Sequence, residues 1–289
     1  MPFTLIRGTF RVVGASPDGD SVRFYPDNQD AFLIARLRVR TNAHGGAQLR
    51  LDAIDALETH YTPTNSRVRW HQPLDLAGAA SSALLADLGF GAVQRDPDGN
   101  VTAASPAETR GHILTRFADV YGRPVSFVFS GERQRTPDLG SVRLEPAGLR
   151  ASVNWRQLYA GLAYPTYYSK LFPDLRDELT AAVSEARDRG LGVWERDVTT
   201  TGFRLESRAQ LSDHLIILPK LFRRLAEYLD LDTTGGASLA RFEQFLQSSA
   251  DALFTIPDGH STTLDTLVHV RRQRIRLTVP PENIVFREK

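Results

Sequence analysis

Four short runs of strand character, residues 4–13, 20–25, 31–40 and 47–54, follow one another closely, the first two separated by the turn Pro17-Asp18-Gly19. Runs this short and this closely spaced predict a meander, in which each strand reaches the next through a tight turn. Residues 73–88 then switch to helical spacing, with Leu76, Ala80, Leu84 and Leu88 on one face and Gly89 as the stop. Residues 90–110, with Pro97, Asp98, Gly99, Asn100 and Pro106, read as an exposed insertion, and 112–118 with 124–129 predict a hairpin around Tyr121-Gly122. Helical spacing returns at 152–163 and at 174–190, where an acid-rich start, a base-rich end and Gly190 bound the second segment. Together these predict an α+β chain whose residues 1–199 form a five-stranded β-barrel of the OB-fold type with three helices.

The character changes near Thr199-Thr200-Thr201-Gly202. Leu211, Leu215, Leu218, Phe222, Leu225 and Leu229 lie at helical spacing over 211–229, and Leu239, Phe242, Phe245 and Leu246 repeat it. Strands at 265–270 and 274–279, with a weaker one at 283–286, predict a small C-terminal α+β module over 200–289. Two uses of the 211–229 helix stand open: burial against a partner or a second copy, and completion of the chain's own core. With 289 residues, 42% of them hydrophobic, the chain suffices for one large or two ordinary domains.

The absence of cysteine excludes a disulfide framework, thiolate metal sites and a cysteine nucleophile, so a metal would be held by oxygen or imidazole. The 35 basic and 34 acidic residues leave a formal charge of +1, so a polyanion must be gripped locally and not by a global field. Only Lys170, Lys220 and Lys289 among the basic residues are lysines; the rest are arginines, whose planar fork holds phosphate at two points. Residues 3–13 alternate and carry Arg7 and Arg11, unlike the apolar core of a signal peptide, and no run approaches the roughly 20 apolar residues of a membrane span. A cytoplasmic location with no membrane partner is the expectation.

Asp18-Gly19-Asp20 alone is an ordinary turn signal. Along the strand 47–54, Arg50 and Asp52 share a face, while Asp55 and Glu58 lie where the chain turns. Asp20, Asp55 and Glu58 meeting at one point would repel unless a hard cation such as Ca²⁺ or Mg²⁺ bridged them. The other arrangement is an exposed acidic rim paired with arginines. Asp119-Val120-Tyr121-Gly122-Arg123 would present Tyr121 and Arg123 from the hairpin tip.

In order and spacing these segments resemble the staphylococcal nuclease (thermonuclease-like) family. DGDSVRF at 18–24 resembles its first metal strand, RLDAIDALET at 50–59 its arginine, metal-aspartate and catalytic-glutamate segment, and DVYGR at 119–123 its second-arginine turn. VNWRQLYAGLAY at 153–164 and SEARDRGLGVWE at 184–195, ending near Trp194, resemble its C-terminal helices, so the resemblance spans residues 5–197. It implies that Asp20, Asp55 and the backbone carbonyl of Ala56 hold Ca²⁺, with Mg²⁺ or Mn²⁺ as alternatives. Ala56-Leu57 stands where the family has threonine-proline, which leaves the carbonyl in place but alters the turn. By the same resemblance, Glu58 is the general base, Arg50 and Arg123 grip the scissile phosphate, and Tyr121 and Tyr167 line the nucleotide pocket. The implied activity is a Ca²⁺-dependent nuclease cutting DNA or RNA with little sequence preference, leaving 3′-phosphate and 5′-hydroxyl ends. The alternative within the same fold is a catalytically silent module that binds nucleic acid or protein.

The remaining motifs carry less. The seven histidines form no metal-binding spacing, His60 alone lying close to Glu58. Asp96-Pro97-Asp98-Gly99-Asn100 lacks the terminal glutamate of a calcium loop, and Thr233-Thr234-Gly235-Gly236 has no lysine and follows no predicted strand, as a phosphate loop would require. Arg271, Arg272, Arg274 and Arg276 form a basic run that reads either as a charged strand edge or as a nucleic-acid backbone contact.

Overall fold

The computed structural model describes residues 2–132, 136–232 and 235–288; Thr233 and Thr234 of the dismissed phosphate loop lie outside the described residues. The chain begins with β1 (Phe3–Arg11), β2 (Ser21–Pro26), α1 (Ala31–Ile34), β3 (Ala47–Leu51) and β4 (Ile54–Ala56). Then come α2 (Leu74–Asp87), β5 (Ala92–Arg95), β6 (Val101–Ser105), β7 (Glu108–Ala118) and β8 (Pro124–Ser130). β1, β2, β3, β8 and β7 close into a five-stranded mixed barrel, in which β3 and β8 run parallel and the other pairs antiparallel. Its interior is apolar, with Leu5, Phe10, Val22, Phe24, Leu49 and Phe127 all at 0% exposure.

Two strand expectations change. Residues 31–40 are not a barrel strand: α1 makes one helical turn and the rest runs without a strand partner. The apolar run Ala31–Ile34 does not alternate; Ala31 and Phe32 turn inward, while Leu33 and Ile34 face solvent, which suits a helical turn and not a half-buried strand. The run predicted at 47–54 is broken, because Ala53 adopts a left-handed φ of 67° and turns the chain between β3 and β4. Within the stretch 90–110, read as an insertion, Ala92–Arg95 and Val101–Ser105 form the hairpin of β5 and β6, and β7 already begins at Glu108.

The helices expected at 73–88 and 174–190 are present, and that expected at 152–163 is shorter, since Gly161 takes a left-handed φ of 68° and Ala163 already belongs to a strand. After β9 (Ser141–Val142) and α3 (Pro146–Leu149), α4 (Val153–Tyr159) starts at Ser152, whose hydroxyl accepts from the Trp155 amide at 3.1 Å. β10 (Ala163–Pro165) and β11 (Tyr167–Tyr168) lead into α5 (Pro173–Asp188), which buries Leu175, Leu179, Ala182, Val183 and Ala186 along one face.

The C-terminal part contains β12 (Phe203–Arg204), α6 (Arg208–Asp213), α7 (Pro219–Asp230), α8 (Phe242–Ser249), β13 (Ala252–Thr255), β14 (Ser261–Thr263), α9 (Leu264–Leu267), β15 (Val268–Arg271), β16 (Arg274–Leu277) and β17 (Ile284–Phe286). The single helix expected at 211–229 is two, since residues 214–218 leave the helical path and Pro219 starts α7 at its first helical position. The strand expected at 265–270 is partly α9, and β13 and β14 are additional.

This part joins the barrel half without a seam. β17 runs parallel to β11 with Tyr167 opposite Val285, and the two halves share one apolar core. The Gln72 side-chain amide donates to the Ile217 carbonyl at 2.8 Å. Leu221, Phe222, Leu225 and Leu229 of α7 are essentially inaccessible, each contributing ~1.5–3 kcal/mol of burial. The apolar face of 211–229 is therefore covered within the chain. Among the described residues, no helix is long and apolar enough to cross a membrane.

Candidate active site

One cleft of about 670 Å³ opens where the barrel half meets α7, and Asp18, Asp20, Arg50, Glu58, Tyr121 and Arg123 all line it. Each arrives on a different piece of chain. The turn before β2 carries Asp20, and a Cβ on Gly19 would lie 2.6 Å from the Cβ atoms of Ala56 and Ala80, so only glycine lets the turn pack there. The Gln157 side chain donates to the Gly19 carbonyl at 2.9 Å and fixes the turn. Asp20 consequently meets the start of the Glu58 segment, its Oδ2 accepting from the Ala56 amide at 3.3 Å.

Arg50, on β3, reaches both aspartates, 3.6 Å from Asp20 Oδ2 and 3.4 Å from Asp55 Oδ1. The hairpin tip aims Arg123. Asp119 Oδ1 accepts from the amides of Tyr121 at 3.0 Å and Arg123 at 2.9 Å, and its Oδ2 accepts from Arg123 Nε at 2.7 Å. Gly122 takes a φ of 78° in this turn and gives its carbonyl to the Arg40 amide at 2.9 Å. Tyr121 stands at the rim, 67% exposed, with the Arg123 guanidinium 5.5 Å from its ring centroid.

Tyr167 does not line the cleft. It is fully buried, its hydroxyl 3.0 Å from Thr180 Oγ1, and the next residue, Tyr168, faces the cleft in its place. Adjacent strand residues point to opposite faces, so an offset of one exchanges wall for core. His60 stays outside the lining and pairs with Thr59 at 2.9 Å.

The C-terminal part supplies residues that the motif reading passed over. Arg223 of α7 forks onto Asp55, Nη1 to Oδ1 at 3.1 Å and Nη2 to Oδ2 at 2.6 Å, and Nη1 also donates to Glu58. Arg224 forks onto Asp251 at 2.6 and 2.9 Å, and Lys220 Nζ lies 3.5 Å from the same carboxylate. A signal was present: Lys220, Arg223, Arg224 and Glu227 fall at i, i+3, i+4 and i+7, the polar stripe beside the apolar one that predicted the helix.

No family model and no curated protein matches the sequence. The chemistry of the cleft therefore rests on its own groups. Burial pushes the Glu58 carboxyl up to about 7, against the pull of Arg223, and burial together with the charge of Asp18 raises Asp20 in spite of Arg50. Burial also acts upward on Asp55, but Arg223 and Arg50 outweigh it and hold that carboxyl below its ordinary value. Burial lowers Lys220 to about 8, partly offset by Asp251.

A divalent ion does not fit this donor set. Both oxygens of Asp55 and one of Glu58 accept from Arg223, which holds the place between them. Among the described residues, no group of three or more His, Asp or Glu side chains is disposed to hold a metal ion. Of the two arrangements open from the sequence, carboxylates paired with arginines is the one found, but buried and not at an exposed rim.

Proposed function

We propose that the chain is a phosphodiester hydrolase acting on DNA or RNA, with the cleft as its active site. The observation that carries this reading is the meeting of Asp20, Arg50, Glu58 and Arg123, from four separate segments, in one cleft. These are the residues that the resemblance to the thermonuclease-like family names for this chemistry.

Attack of water on a phosphodiester builds negative charge on the equatorial oxygens of a five-coordinate phosphorus, and preorganised guanidinium forks are suited to neutralise it. Arg50, pinned by Asp20 and Asp55, and Arg123, aimed by Asp119, supply such forks without rearranging. Glu58 lines the cleft and is 12% exposed, which places a carboxylate where water can enter. It would take the proton of the attacking water and deliver it to the departing 5′-oxygen, leaving a 3′-phosphate and a 5′-hydroxyl. Tyr121 at the rim and Tyr168 in the wall offer faces for the flanking nucleosides.

Digestion of fluorescent single- and double-stranded oligonucleotides tests this. Glu58→Gln is expected to slow cleavage ~10²–10⁴-fold with the fold intact, and Arg50→Lys to fail as well because a point charge does not replace a fork. Cleavage unaffected by either change removes the cleft from the reaction. The pairing of all three carboxylates with arginines favours a second reading, a module that binds nucleic acid without cutting it. Oligonucleotide retention on a filter, with no product formed, would identify it.

A further inference from the structure

We infer that Arg223 is a built-in cation of this cleft, holding the position a divalent metal would need between Asp55 and Glu58, so that phosphate is received without a metal ion. The activity arm of this inference rests on the hydrolase reading; its ion-binding arm does not.

Three observations carry it. First, the guanidinium bridges the acids as a bound cation would: it takes both oxygens of Asp55, a residue with no solvent exposure, and one of Glu58. A metal bound to the same carboxylates would have to sit beside this fixed positive charge, with Arg50 as a second one on Asp20 and Asp55.

Second, Arg223 is not a latch that can swing aside. Its neighbours Leu221, Phe222, Leu225 and Ala226 are at 0% exposure, and the Tyr61 hydroxyl donates to Glu227 from the barrel half. With the helix so anchored, the guanidinium could leave only by rotating its own side chain, which would strand the Asp55 carboxylate, without solvent exposure, short of the two donors it accepts from; an inhibitory plug is instead a weakly held segment.

Third, the residue is still available to a ligand. Its side chain is 23% exposed and lines the cleft, and three of the five N–H donors of a guanidinium are used on Asp55 and Glu58. The ligand class that fits is a phosphodiester oxyanion, met by Arg223 together with Arg50 and Arg123. Asp55 then acts on the phosphate through Arg223, and Glu58, besides its role toward the attacking water, helps to fix where that fork lies.

The test is Ca²⁺ binding by isothermal titration calorimetry, with sensitised Tb³⁺ luminescence as a second readout, on the full chain. The wild type is expected to bind neither ion in the micromolar range. Arg223→Ala, which frees Asp55 and Glu58, is expected to gain affinity for both by at least ~10-fold, and Asp55→Asn added to it to abolish the gain. Arg223→Lys keeps the positive charge and is expected to behave as the wild type. Micromolar Ca²⁺ binding by the wild type, or equal binding by wild type and a folded Arg223→Ala, overturns the inference; the wild-type titration decides even where the variant fails to fold. In the activity arm, oligonucleotide cleavage is expected to persist in EDTA. Cleavage that EDTA stops and Ca²⁺ restores overturns the role of Arg223 and leaves the hydrolase standing. Absence of cleavage under every condition overturns the hydrolase reading, and the calorimetry then judges Arg223 alone.

Discussion

Burial pushes the Asp52 carboxyl up to about 6 from an ordinary 3.8, against the attraction of Arg116, and the residue is 4% exposed in the cleft wall. Because the folded state holds this proton more tightly, its stability is greatest below the unfolded value near 4 and falls as pH rises through about 6. The difference corresponds to about 3 kcal/mol, so Asp52→Asn should stabilise the protein by a few kcal/mol at pH 8 and by almost nothing at pH 3. Urea unfolding midpoints of the two proteins across that range check it, and a gain independent of pH would refute the cause. The Asn oxygen can still accept from the Ala53 amide, so the substitution removes charge more than hydrogen bonding. At this scale the sequence was readable where a residue sits in a local motif: Asp20, Arg50, Glu58 and Arg123 each lie within a few residues of a turn that aims them. It was unreadable where the face depended on a distant partner. Tyr167 and Tyr168 could exchange roles until the pairing of Tyr167 with Val285 fixed which side met the core.

Elements were legible when their period ran long enough. The amphipathic spacing of 73–88 and 174–190 became α2 and α5 almost unchanged, since each buries its whole apolar stripe. Residues 31–40 and 211–229 failed for opposite reasons. The first lacked a neighbouring strand to pair with, because β8 lies against the far side of β3. The second kept its apolar count but crossed Pro219, whose missing amide and fixed φ begin a helix more readily than they continue one. The resulting α7 is the element on which the site depends. Leu225 is at 0% exposure two positions from Arg223 and should cost ~2–5 kcal/mol when cut to alanine. The same change should weaken oligonucleotide binding in the folded fraction, because it loosens the helix that carries the Arg223 fork, whereas Leu175→Ala on α5, also at 0% exposure, should cost similar stability and leave binding intact. Thermal melts paired with fluorescence anisotropy separate the two effects, and equal losses of binding in both variants would show that α7 has no special place.

At the level of the whole molecule, the motifs follow one another in order from residue 5 to residue 197, and the residues beyond 199 continue into the same apolar core. What a linear reading could not supply was that the later part is structural to the earlier one: β11 and β17 pair across more than a hundred residues, and α7 closes the cleft. On this packing the two parts are expected to fold as one unit. Deleting the chain beyond Gly202 would uncover Tyr167, remove the parallel partner of β11 and strand the buried carboxylate of Asp55 without its fork. Breaking one buried ion pair costs ~3–5 kcal/mol, and the lost burial of only four α7 side chains adds ~6–12 kcal/mol. A domain of this size holds ~5–15 kcal/mol in total, so residues 1–202 alone should lack a cooperative fold. Near-UV circular dichroism and a denaturant titration of the truncated chain check this: a flat tertiary signal without a sigmoidal transition is expected. A native-like spectrum with a sharp midpoint would instead mean that the barrel half tolerates Asp55 uncapped, and that Arg223 is not a constitutive cation of the fold.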